Sequence, residues 1–468
     1  MLKNIKQVHL VGVGGSGMSG IAELLLRLGY VVTGSDLSSS PATERLGSLG
    51  VHCSRGHDAR YVSAADLVVV SAAIPANNPE RLAAAERGIP TVSRGVMLAE
   101  LTRLKRTVAV VGSHGKTTTT AMVTVVLENA GLDPTAIIGG RVSSLGSNTR
   151  FGGGDLMIVE ADESDRSFLE LSPEMAVLTN IDDEHLDAYS NIKDLERSFG
   201  TFAQSVAERG CIFGCVDDSR LRSVLSTVEG RIVTYGIDET SADIRAVDVK
   251  LGPSRSDFRV VINRDDVKVD HIAISTISPG RHNVENALAA IAVGSELMIP
   301  HDCLSSALKT FSGAERRLQV CGDVGGIVVI DDYAHHPTEI EAVLETVRLR
   351  APHRLRVVFQ PHRYSRTHRL LDRFGEVLAK ADDVILTEVY AAHELPISGA
   401  NSVDVAQAVA KYGNVPVSLA KTLDEAVEIV TRDARSGDVV VTLGAGSIGM
   451  LPPRITEVLR TRCVGSAV

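Results

Sequence analysis

A glycine-rich segment that joins an apolar strand to a helix is the part of this sequence best suited to chemistry. It follows the apolar run 107–111 and reads Gly112-Ser113-His114-Gly115-Lys116-Thr117. The segment lacks the full spacing of a P-loop, but it keeps the groups that act on phosphate. Its main-chain amides can surround phosphate oxygens, Lys116 can neutralise the β and γ phosphates, and the Thr117 hydroxyl can bind Mg²⁺. We therefore expect this segment to bind ATP.

An acidic segment after the next apolar strand could complete a magnesium site. Mg²⁺ prefers hard oxygen ligands and leaves room for substrate phosphates, so an acid at the end of a neighbouring strand is needed. The strand 156–160 ends in Glu160, and Asp162 and Glu163 follow. We expect Glu160 to be the ligand because it lies where the strand ends. The alternative for these acids is a solvated loop, which suits Glu163 better than Glu160.

A histidine among acids follows the strand after that. The run 175–179 leads into Asn180 and then His185, which has acidic residues on both sides. A histidine in a loop at a strand end is typical of metal ligands and phosphate contacts, although an isolated one is more often ordinary. Because Lys116 and Glu160 are expected at adjacent strand ends, we predict a functional role for His185.

A second glycine loop near the N-terminus matches the pattern of dinucleotide-binding proteins. It lies between a strand and a helix and reads Gly12-Val13-Gly14-Gly15-Ser16-Gly17. Asp36 follows at about the distance expected for an acid that binds ribose. Glycines allow the main chain to approach a diphosphate, and the helix N-terminus adds amide donors. These residues leave NAD and other nucleotide diphosphates open, and a tight turn without a ligand is the structural alternative.

The composition excludes several classes of protein. The formal net charge is −10 and no cluster of lysine and arginine stands out, which argues against binding of a nucleic-acid polymer. The six cysteines are scattered without the density of a disulfide framework, so reduced thiols in the cytoplasm are expected. The N-terminus has no cleavable apolar region and no run of ~18 apolar residues occurs, so we expect neither secretion nor membrane insertion.

The alternation of strands and helices predicts three consecutive α/β domains. A chain of 468 residues is too long for one ordinary hydrophobic core. We expect a Rossmann-like domain at 1–105, a central P-loop-type ATPase domain with a mostly parallel sheet at 106–317, and a C-terminal Rossmann-like α/β domain at 318–468. Short alternating runs between residues 231 and 277 predict an antiparallel insert or sheet edge in the central domain.

Further motifs continue along the chain. They are Gly280-Arg281-His282-Asn283-Val284-Glu285-Asn286-Ala287, Glu315-Arg316-Arg317, Asp331-Asp332-Tyr333-Ala334-His335-His336-Pro337, Phe359-Gln360-Pro361-His362-Arg363-Tyr364-Ser365-Arg366-Thr367 and Gly444-Ala445-Gly446-Ser447-Ile448-Gly449. With the two glycine loops and the acids at 160–165, they resemble the Mur ligases over the full length. This family adds amino acids in peptidoglycan synthesis with ATP. Within it, the chain is most similar to the members that join L-alanine to UDP-N-acetylmuramate.

The resemblance implies a UDP-substrate site in the first domain and so excludes NAD there. The residues that match the family's site are Gly14, Gly15, Ser16 and Gly17 at the diphosphate, with Ser35, Asp36, His57 and Ser71 as neighbours. It also implies an ATP site, which would comprise Gly112, Ser113, His114, Gly115, Lys116, Thr117, Thr118, His282, Asn283, Asn286 and Arg317, with Asp331 and Asp332 near the ribose.

The resemblance further implies that a carboxylate attacks ATP to give an acyl phosphate, which L-alanine then attacks. Two Mg²⁺ ions are expected, with Thr117, Glu160 and His185 as ligands. The muramoyl carboxylate, the acyl phosphate and L-alanine would contact Tyr333, His335, Arg363 and Arg366. The residues expected to act in catalysis are Lys116, His185, His335 and Arg363.

One departure from the family and three alternatives remain. Several Mur ligases carry a carbamylated lysine after the metal-binding histidine, but the segment 198–202 has no lysine, so we predict no carbamylation there. The nearest alternative is a recycling ligase that joins a murein tripeptide to UDP-N-acetylmuramate. A nucleotide-sugar oxidoreductase would leave Lys116, Glu160 and His185 unexplained. A module that only senses ATP would not need the arginines and histidines of the third domain.

Overall fold

The computed structural model describes residues 2–184, 188–206, 210–264 and 267–465. The chain forms two compact units. The first comprises Met1–Val249, Phe258–Thr276 and Asn283–Ser312, and the second comprises Lys250–Asp257, Ile277–His282 and Gly313–Val468. Three mostly parallel sheets, each combined with helices, give the three-domain α/β architecture that the sequence predicts. The exact domain boundaries remain a prediction.

The N-terminal sheet is Rossmann-like, with strands in the order β3-β2-β1-β4-β5 and all neighbouring pairs parallel. Its strands are β1 Gln7–Val11, β2 Val31–Asp36, β3 His52–Arg55, β4 Leu67–Val70 and β5 Thr91–Ser93. The helices between them are α1 Ser16–Arg27, α2 Pro41–Ser48, α3 Pro79–Glu86 and α4 Arg94–Thr102. The glycine loop joins β1 to α1 at the carboxyl edge of this sheet, where ligands of such folds bind.

The second sheet has the order β15-β14-β13-β12-β11-β10-β6-β9-β7-β8. Its strands are β6 Arg106–Val111, β7 Thr135–Val142, β8 Ser147–Arg150, β9 Leu156–Glu160, β10 Met175–Leu178, β11 Cys211–Cys215, β12 Arg231–Gly236, β13 Ile244–Leu251, β14 Ser256–Arg264 and β15 Val267–Thr276. Its helices are α5 Lys116–Asn129, α6 Ile192–Gln204, α7 Ser219–Leu225, α8 Arg281–Glu296 and α9 His301–Thr310. Strands β9 and β10 flank β6 in parallel, so their carboxyl ends meet at one edge.

The strands after β11 form one edge of this sheet, as the alternating pattern predicts, but they are only partly antiparallel. Strand β12 pairs in parallel with both β11 and β13. Four residues join β13 to β14 and two join β14 to β15, connections that only antiparallel neighbours can make. The expectation of an antiparallel segment from residue 231 is therefore wrong for β12. Alternation of apolar residues marks a half-covered strand, and it does not fix the direction of its neighbour.

The third sheet belongs to the second unit and has the order β16-β17-β21-β18-β19-β20. Its strands are β16 Gln319–Val324, β17 Ile327–Asp332, β18 Leu355–Phe359, β19 Asp383–Thr387, β20 Val417–Ala420 and β21 Val439–Leu443. Its helices are α10 Pro337–Arg348, α11 Tyr364–Arg369, α12 Leu371–Leu378, α13 Ser402–Tyr412, α14 Leu423–Arg432 and α15 Leu451–Gly465. Only β16 is antiparallel, and it pairs with β17 at the edge.

Buried apolar residues concentrate on the strands and on one face of most helices. In β6, residues 108–111 are completely buried because helices cover both faces of the sheet. In α14 the buried residues Ala426, Val427 and Val430 recur with helical spacing, and polar residues occupy the other face. Among the described residues, no helix is long and apolar enough to cross a membrane.

Candidate functional site

The main chain of the 112–117 loop adopts a shape that requires two of its glycines. Gly112 has φ +151°, and a Cβ there would lie 1.8 Å from the Thr179 hydroxyl. Gly115 has φ +80°, and a Cβ there would lie 2.7 Å from Asn286 Oδ1. Such positive φ values strain most side chains. Helix α5 begins directly after Gly115, so its first amides open toward the loop, as in sites that bind phosphate.

Lys116 is held inside this loop by a buried acid. Its Nζ donates to the Gly112 and Ser113 carbonyls and lies 2.9 Å from the Glu163 carboxyl group. Burial opposes the charge of Lys116, but Glu163, Asp162 and Glu160 outweigh it and raise the pKa of the amine. Lys116 is therefore a permanent cation at the point where phosphates are expected.

Glu163 is not the solvated acid that the sequence favours. Its side chain is 1% exposed and lies against Lys116. Burial raises the pKa of Glu163 to about 8, while the charge of Lys116 pulls in the opposite direction. The correction has a simple cause, since a partner 47 residues away in sequence cannot be inferred from local composition.

Thr117 and Glu160 form a pair of hard oxygen donors. The Thr117 hydroxyl lies 3.1 Å from Glu160 Oε1, and Glu160 Oε2 accepts from the Gly139 amide at 2.6 Å. A hydroxyl and a carboxylate this close can share one Mg²⁺ ion, and both are ligand types that this ion prefers. The donor set therefore fits a magnesium ion at the carboxyl ends of β6 and β9.

The end of β10 supports the same loop from the other side. The His114 amide donates to Asn180 Oδ1 at 2.8 Å, and the Thr179 hydroxyl donates to the His114 carbonyl at 2.7 Å. The His114 ring lies 2.9 Å from Asp182. His185, the expected ligand of a second ion, lies outside the described residues. Thr118 is nearly buried in the first turn of α5.

Two asparagines of α8 reach the base of α5. The Thr119 hydroxyl donates to Asn286 Oδ1 at 3.0 Å, and Asn286 Nδ2 donates to Asn283 Oδ1 at 3.2 Å. The structure thus brings Asn283 and Asn286 to the start of α5, and Asn286 is 167 residues from Thr119 in sequence. The part in the ATP site that the family resemblance implies for them remains a prediction. Thr119 is a neighbour of the loop that the sequence reasoning did not single out.

The N-terminal glycine loop is closed by its own acid. The Gly14 amide donates to Asp36 Oδ2 at 2.9 Å, and the Gly12 amide donates to the Ser35 carbonyl. Gly12 has φ +82°, and a Cβ there would lie 3.1 Å from the Ser71 side chain. Ser35, Asp36 and Ser71 therefore adjoin the loop as expected. Gly15 precedes α1 without a side-chain cap, and Ser16 begins the helix.

A buried network below this loop was not predicted. Glu80 is completely buried and accepts hydrogen bonds from the Ser35 hydroxyl at 2.9 Å and from the His57 ring at 2.7 Å. The His9 ring lies 2.6 Å from Glu80 Oε2, the oxygen that also accepts from Ser35, and His9 also contacts Thr33. Ser35 and His57 thus face Glu80 in this structure. The one signal in the sequence was a histidine inside the apolar strand β1.

In the second unit, the two aspartates expected near the ribose are engaged by protein groups. Asp331 accepts from Arg316 at 2.7 Å and from the Thr442 hydroxyl at 2.6 Å. Asp332 accepts from the Leu318 and Ala334 amides, both at 2.7 Å. Burial raises the pKa of Asp332 to about 6. A ribose contact would require an exchange of these partners, and it remains a prediction.

His282 lies in the same unit as Arg317. Burial, and then the charge of Arg317, lower the pKa of His282 to about 4. The ring is therefore neutral at physiological pH and can stack on or hydrogen-bond to an uncharged group such as a nucleobase. Arg317 itself lies 3.7 Å from Glu339 and over the Tyr333 ring.

His335 and Arg366 contact His362, a histidine that the sequence reasoning left without a role, and Tyr333 packs on His335. The His335 ring contacts the rings of Tyr333 and His362, with centroids 5.5 and 5.7 Å apart. Arg366 is buried, and its Nη1 lies 3.1 Å from both His362 Nδ1 and the His362 carbonyl. Tyr390 stacks on the other side of His362 at 5.4 Å.

Arg363 lies beside this cluster in a rare backbone conformation. It has φ +69° and ψ 135°, and its amide donates to the Tyr390 carbonyl at 2.8 Å. Backbone strain of this kind costs about 1–3 kcal/mol and often occurs at functional sites. The position of Arg363 is thus fixed by the loop that carries Tyr390, which the motif alone did not show.

Comparison with known families covers most of the chain. The family description "Mur ligase family, catalytic domain" matches residues 7–106. "Mur ligase middle domain" matches residues 110–294, and "Mur ligase, glutamate ligase domain" matches residues 316–446.

Individual relatives match over nearly their whole length. A UDP-N-acetylmuramate–L-alanine ligase of Solibacter usitatus is 45% identical over 98% of this chain and 97% of its own. One of Paracidovorax citrulli is 46% identical with the same coverage. Among solved structures, UDP-N-acetylmuramate-alanine ligase of Thermotoga maritima has a TM-score of 0.82 at 28% identity, covering 98% of this chain and 100% of that one. A murein peptide ligase of Psychrobacter arcticus has a TM-score of 0.74 at 26% identity, covering 97% and 99%.

Three α/β domains, a phosphate loop that carries an acid-bound lysine, and these matches define an ATP-dependent ligase. The chain belongs to the Mur ligase family.

Proposed function

We propose that this Mur ligase joins L-alanine to the muramoyl carboxylate of UDP-N-acetylmuramate, with ATP converted to ADP and phosphate, in the synthesis of peptidoglycan precursors. The observation that carries the proposal is the 45–46% identity, over 96–98% of the chain, to relatives that bear this name. The same architecture in the Thermotoga maritima ligase supports it.

The chemistry proceeds in two steps. The muramoyl carboxylate attacks the γ-phosphorus of ATP, and ADP leaves as the acyl phosphate forms. The amine of L-alanine then attacks the acyl carbon, inorganic phosphate leaves, and the amine releases a proton. Catalysis of phosphoryl transfer depends mostly on positioning and on neutralising charge.

The ATP site is assigned to the loop 112–117, the start of α5 and the residues around them. Lys116 neutralises the β and γ phosphates, and the glycine amides hold their oxygens. In this assignment Glu163 releases Lys116 when the phosphates arrive. Thr117 and Glu160 hold Mg²⁺, which offsets charge on the phosphates when bound. His185 is assigned to a second Mg²⁺ ion, and the base and ribose to His282, Asn283, Asn286, Arg317, Asp331 and Asp332.

The UDP-substrate site is assigned to the N-terminal glycine loop. Ser16 and Gly17 offer amides to the diphosphate, because α1 begins there and its first amides have no partner within the helix, and Gly14 and Gly15 form the loop that approaches it. Ser35, Asp36, His57 and Ser71 complete the assignment, with Asp36 accepting from the Gly14 amide.

The acyl-phosphate and amino-acid site is assigned to the second unit. Arg363 and Arg366 suit carboxylate and phosphate groups because the guanidinium group binds them through two parallel hydrogen bonds. The fixed geometry of Arg363, and the contact of Arg366 with His362, support their role in positioning. His335 and Tyr333 line the same cluster and complete it. The domain limits that accompany these roles are 1–105, 106–317 and 318–468.

The reaction is assigned to the cytoplasm, where ATP and nucleotide sugars are found. Cys53, Cys211, Cys215, Cys303 and Cys321 are free thiols, which supports a reducing compartment.

The second candidate is a ligase that attaches a murein tripeptide to the same UDP sugar, as the structural match to the Psychrobacter arcticus protein suggests. Mass spectrometry distinguishes the two. The protein is incubated with UDP-N-acetylmuramate, MgATP and equal concentrations of L-alanine and the tripeptide L-alanyl-γ-D-glutamyl-meso-diaminopimelate. The proposal predicts that the alanine adduct predominates, and predominance of the tripeptide adduct would assign the recycling activity instead.

A further inference from the structure

Arg94 connects the two glycine-loop domains. It is the first residue of α4, in the N-terminal domain, and its Nη2 donates to Asp162 Oδ2 at 2.8 Å. Its guanidinium group also lies 3.7 Å from Asp165. Both aspartates belong to the segment that follows β9 in the central domain. The side chain of Arg94 is therefore placed between the UDP-substrate loop and the ATP loop.

The same guanidinium group packs against the N-terminal glycine loop. A Cβ added to Gly17 would lie 2.8 Å from Arg94 Nη1, so the guanidinium group lies directly against this glycine. Gly17 lies in the first turn of α1, where main-chain amides have no partner within the helix. Arg94 thus adds a full positive charge to a loop that already offers amides to a diphosphate.

The helix that carries Arg94 is fixed by close packing. A Cβ on Gly95 would lie 2.2 Å from the Ser167 side chain, so α4 contacts the segment after β9 at main-chain distance. The Ser93 hydroxyl caps α4 by accepting from the Val96 amide. The main chain at the start of α4 is therefore fixed in position, and so is the point from which the Arg94 side chain extends.

The contact with Asp162 occupies only some of the hydrogen-bond donors of Arg94. A guanidinium group has five N–H donors in a planar fork, and the described contact to Asp162 takes one of them. The Arg94 side chain is 17% exposed, so solvent or a ligand can reach it. Both Arg94 and Lys116 interact electrostatically with Asp162.

We propose that Arg94 binds the diphosphate of the UDP substrate while it holds Asp162 beside Lys116. Arg94 would then be a substrate-binding residue that connects occupancy of the first loop to the acidic segment of the ATP site. The inference rests on the proposed function, because it assumes that the N-terminal loop holds a UDP sugar. A diphosphate fits better than a sugar hydroxyl, since the forked cation lies against the amides of α1.

Calorimetric titration without ATP tests this directly, with UDP and UDP-N-acetylmuramate as ligands. Replacing Arg94 by glutamine removes a charged hydrogen bond, so both ligands should bind about 10–100-fold more weakly to Arg94→Gln. Arg94→Lys keeps the charge but not the fork and should recover part of the loss. Equal affinity of Arg94→Gln and the wild type for both ligands would overturn the inference. Weakening of UDP-N-acetylmuramate alone would overturn it too, because Arg94 would then contact the muramoyl carboxylate.

Asp162→Asn is the matched control, since it removes the same ion pair from the other side. If Arg94 only joins the two domains, both variants should lose affinity for UDP to the same extent, and the inference would be wrong. If Arg94 binds the diphosphate, Asp162→Asn frees the guanidinium group and UDP should bind at least as tightly as to the wild type. The titration of the wild type distinguishes failure of this inference from failure of the proposed function. If the wild type did not bind UDP-N-acetylmuramate, the proposed function itself would be overturned.

Discussion

The ammonium group of Lys116 lies 2.9 Å from the carboxyl group of Glu163, and both are buried in the loop assigned to ATP. The lysine that should bind phosphate is therefore already bound to an acid of its own domain. A phosphate can take its place only by displacing Glu163. The contact with Glu163 thus holds Lys116 in position before ATP binds, and it makes the protonation of Glu163 part of the binding equilibrium.

Replacing Lys116 by alanine tests whether the two glycine loops bind different substrates, ATP at one and the UDP substrate at the other. Lys116→Ala should reduce kcat by about a hundredfold or more, because the charge on the transferring phosphoryl group loses its partner. Binding of UDP-N-acetylmuramate, measured by calorimetry without ATP, should stay close to that of the wild type, since its site is assigned to the N-terminal domain. Loss of both properties would mean that the two sites have been assigned wrongly.

The pH dependence of ATP binding should depend on Glu163. Because burial raises its pKa to about 8, Glu163 ionises between pH 7 and 9 and then competes with phosphate for Lys116. The wild type should therefore bind ATP about tenfold more weakly at pH 9 than at pH 7 through this group. Glu163→Gln should lack that decrease. Glu170→Gln, which changes an exposed acid of the same segment, should behave like the wild type, and an identical profile in all three proteins would refute the competition.

Glu80 should stabilise the N-terminal domain in a pH-dependent way. Burial raises its pKa, but hydrogen bonds from His9, His57 and Ser35 outweigh this and hold it below the usual value of 4.5. A carboxyl group with a lowered pKa in the fold stabilises the protein above its unfolded pKa and loses that contribution as the pH falls through the folded pKa. Glu80→Gln should therefore cost about 3–5 kcal/mol at pH 7.

The measurement for Glu80 is Tm at several pH values. The gap between the wild type and Glu80→Gln should be largest near neutral pH and should narrow below pH 4.5. Glu86→Gln, on the exposed side of the same helix, should show no gap. A gap for Glu80→Gln that stayed constant down to about pH 3 would contradict an ionised Glu80.

Gly112 should tolerate no side chain. In Gly112→Ala the new Cβ would lie 1.8 Å from the Thr179 hydroxyl, at a φ of +151° that alanine rarely adopts. The loop must shift, so ATP should no longer raise Tm in this variant. Gly47→Ala is the control, because a Cβ there meets nothing within 4 Å and alanine favours a helix over glycine by up to about 1 kcal/mol. Retention of the full ATP-induced shift by Gly112→Ala would show that the loop does not hold the phosphates.

Apolar runs in the sequence predicted several strands, whereas two strands at sheet edges were missed. The strand predicted at 156–160 matches the structure at both ends, because its first four residues are apolar and buried. Strands β3 and β16 were missed because both are edge strands with mostly exposed or half-buried residues. A local pattern cannot show that an exposed segment pairs with a neighbour.

The residues of the candidate site also differ in whether a local sequence pattern could predict them. The glycine loops and Glu160 could be inferred locally, because each follows the end of an apolar strand. Glu163, Glu80 and Arg94 could not, because each is defined by partners 23 to 71 residues away. In a sequence, a buried acid cannot be distinguished from a solvated one, because only the fold shows which cation lies against it.

The proposed ligation of L-alanine to UDP-N-acetylmuramate is tested most directly by measuring phosphate release from ATP with each substrate omitted in turn. The protein is incubated with UDP-N-acetylmuramate, MgATP and L-alanine, and inorganic phosphate is measured over time. We predict sustained phosphate release only when all three substrates are present, with one alanine adduct formed for each phosphate. Release that does not depend on L-alanine, or no release from the complete mixture, would contradict the proposed ligation.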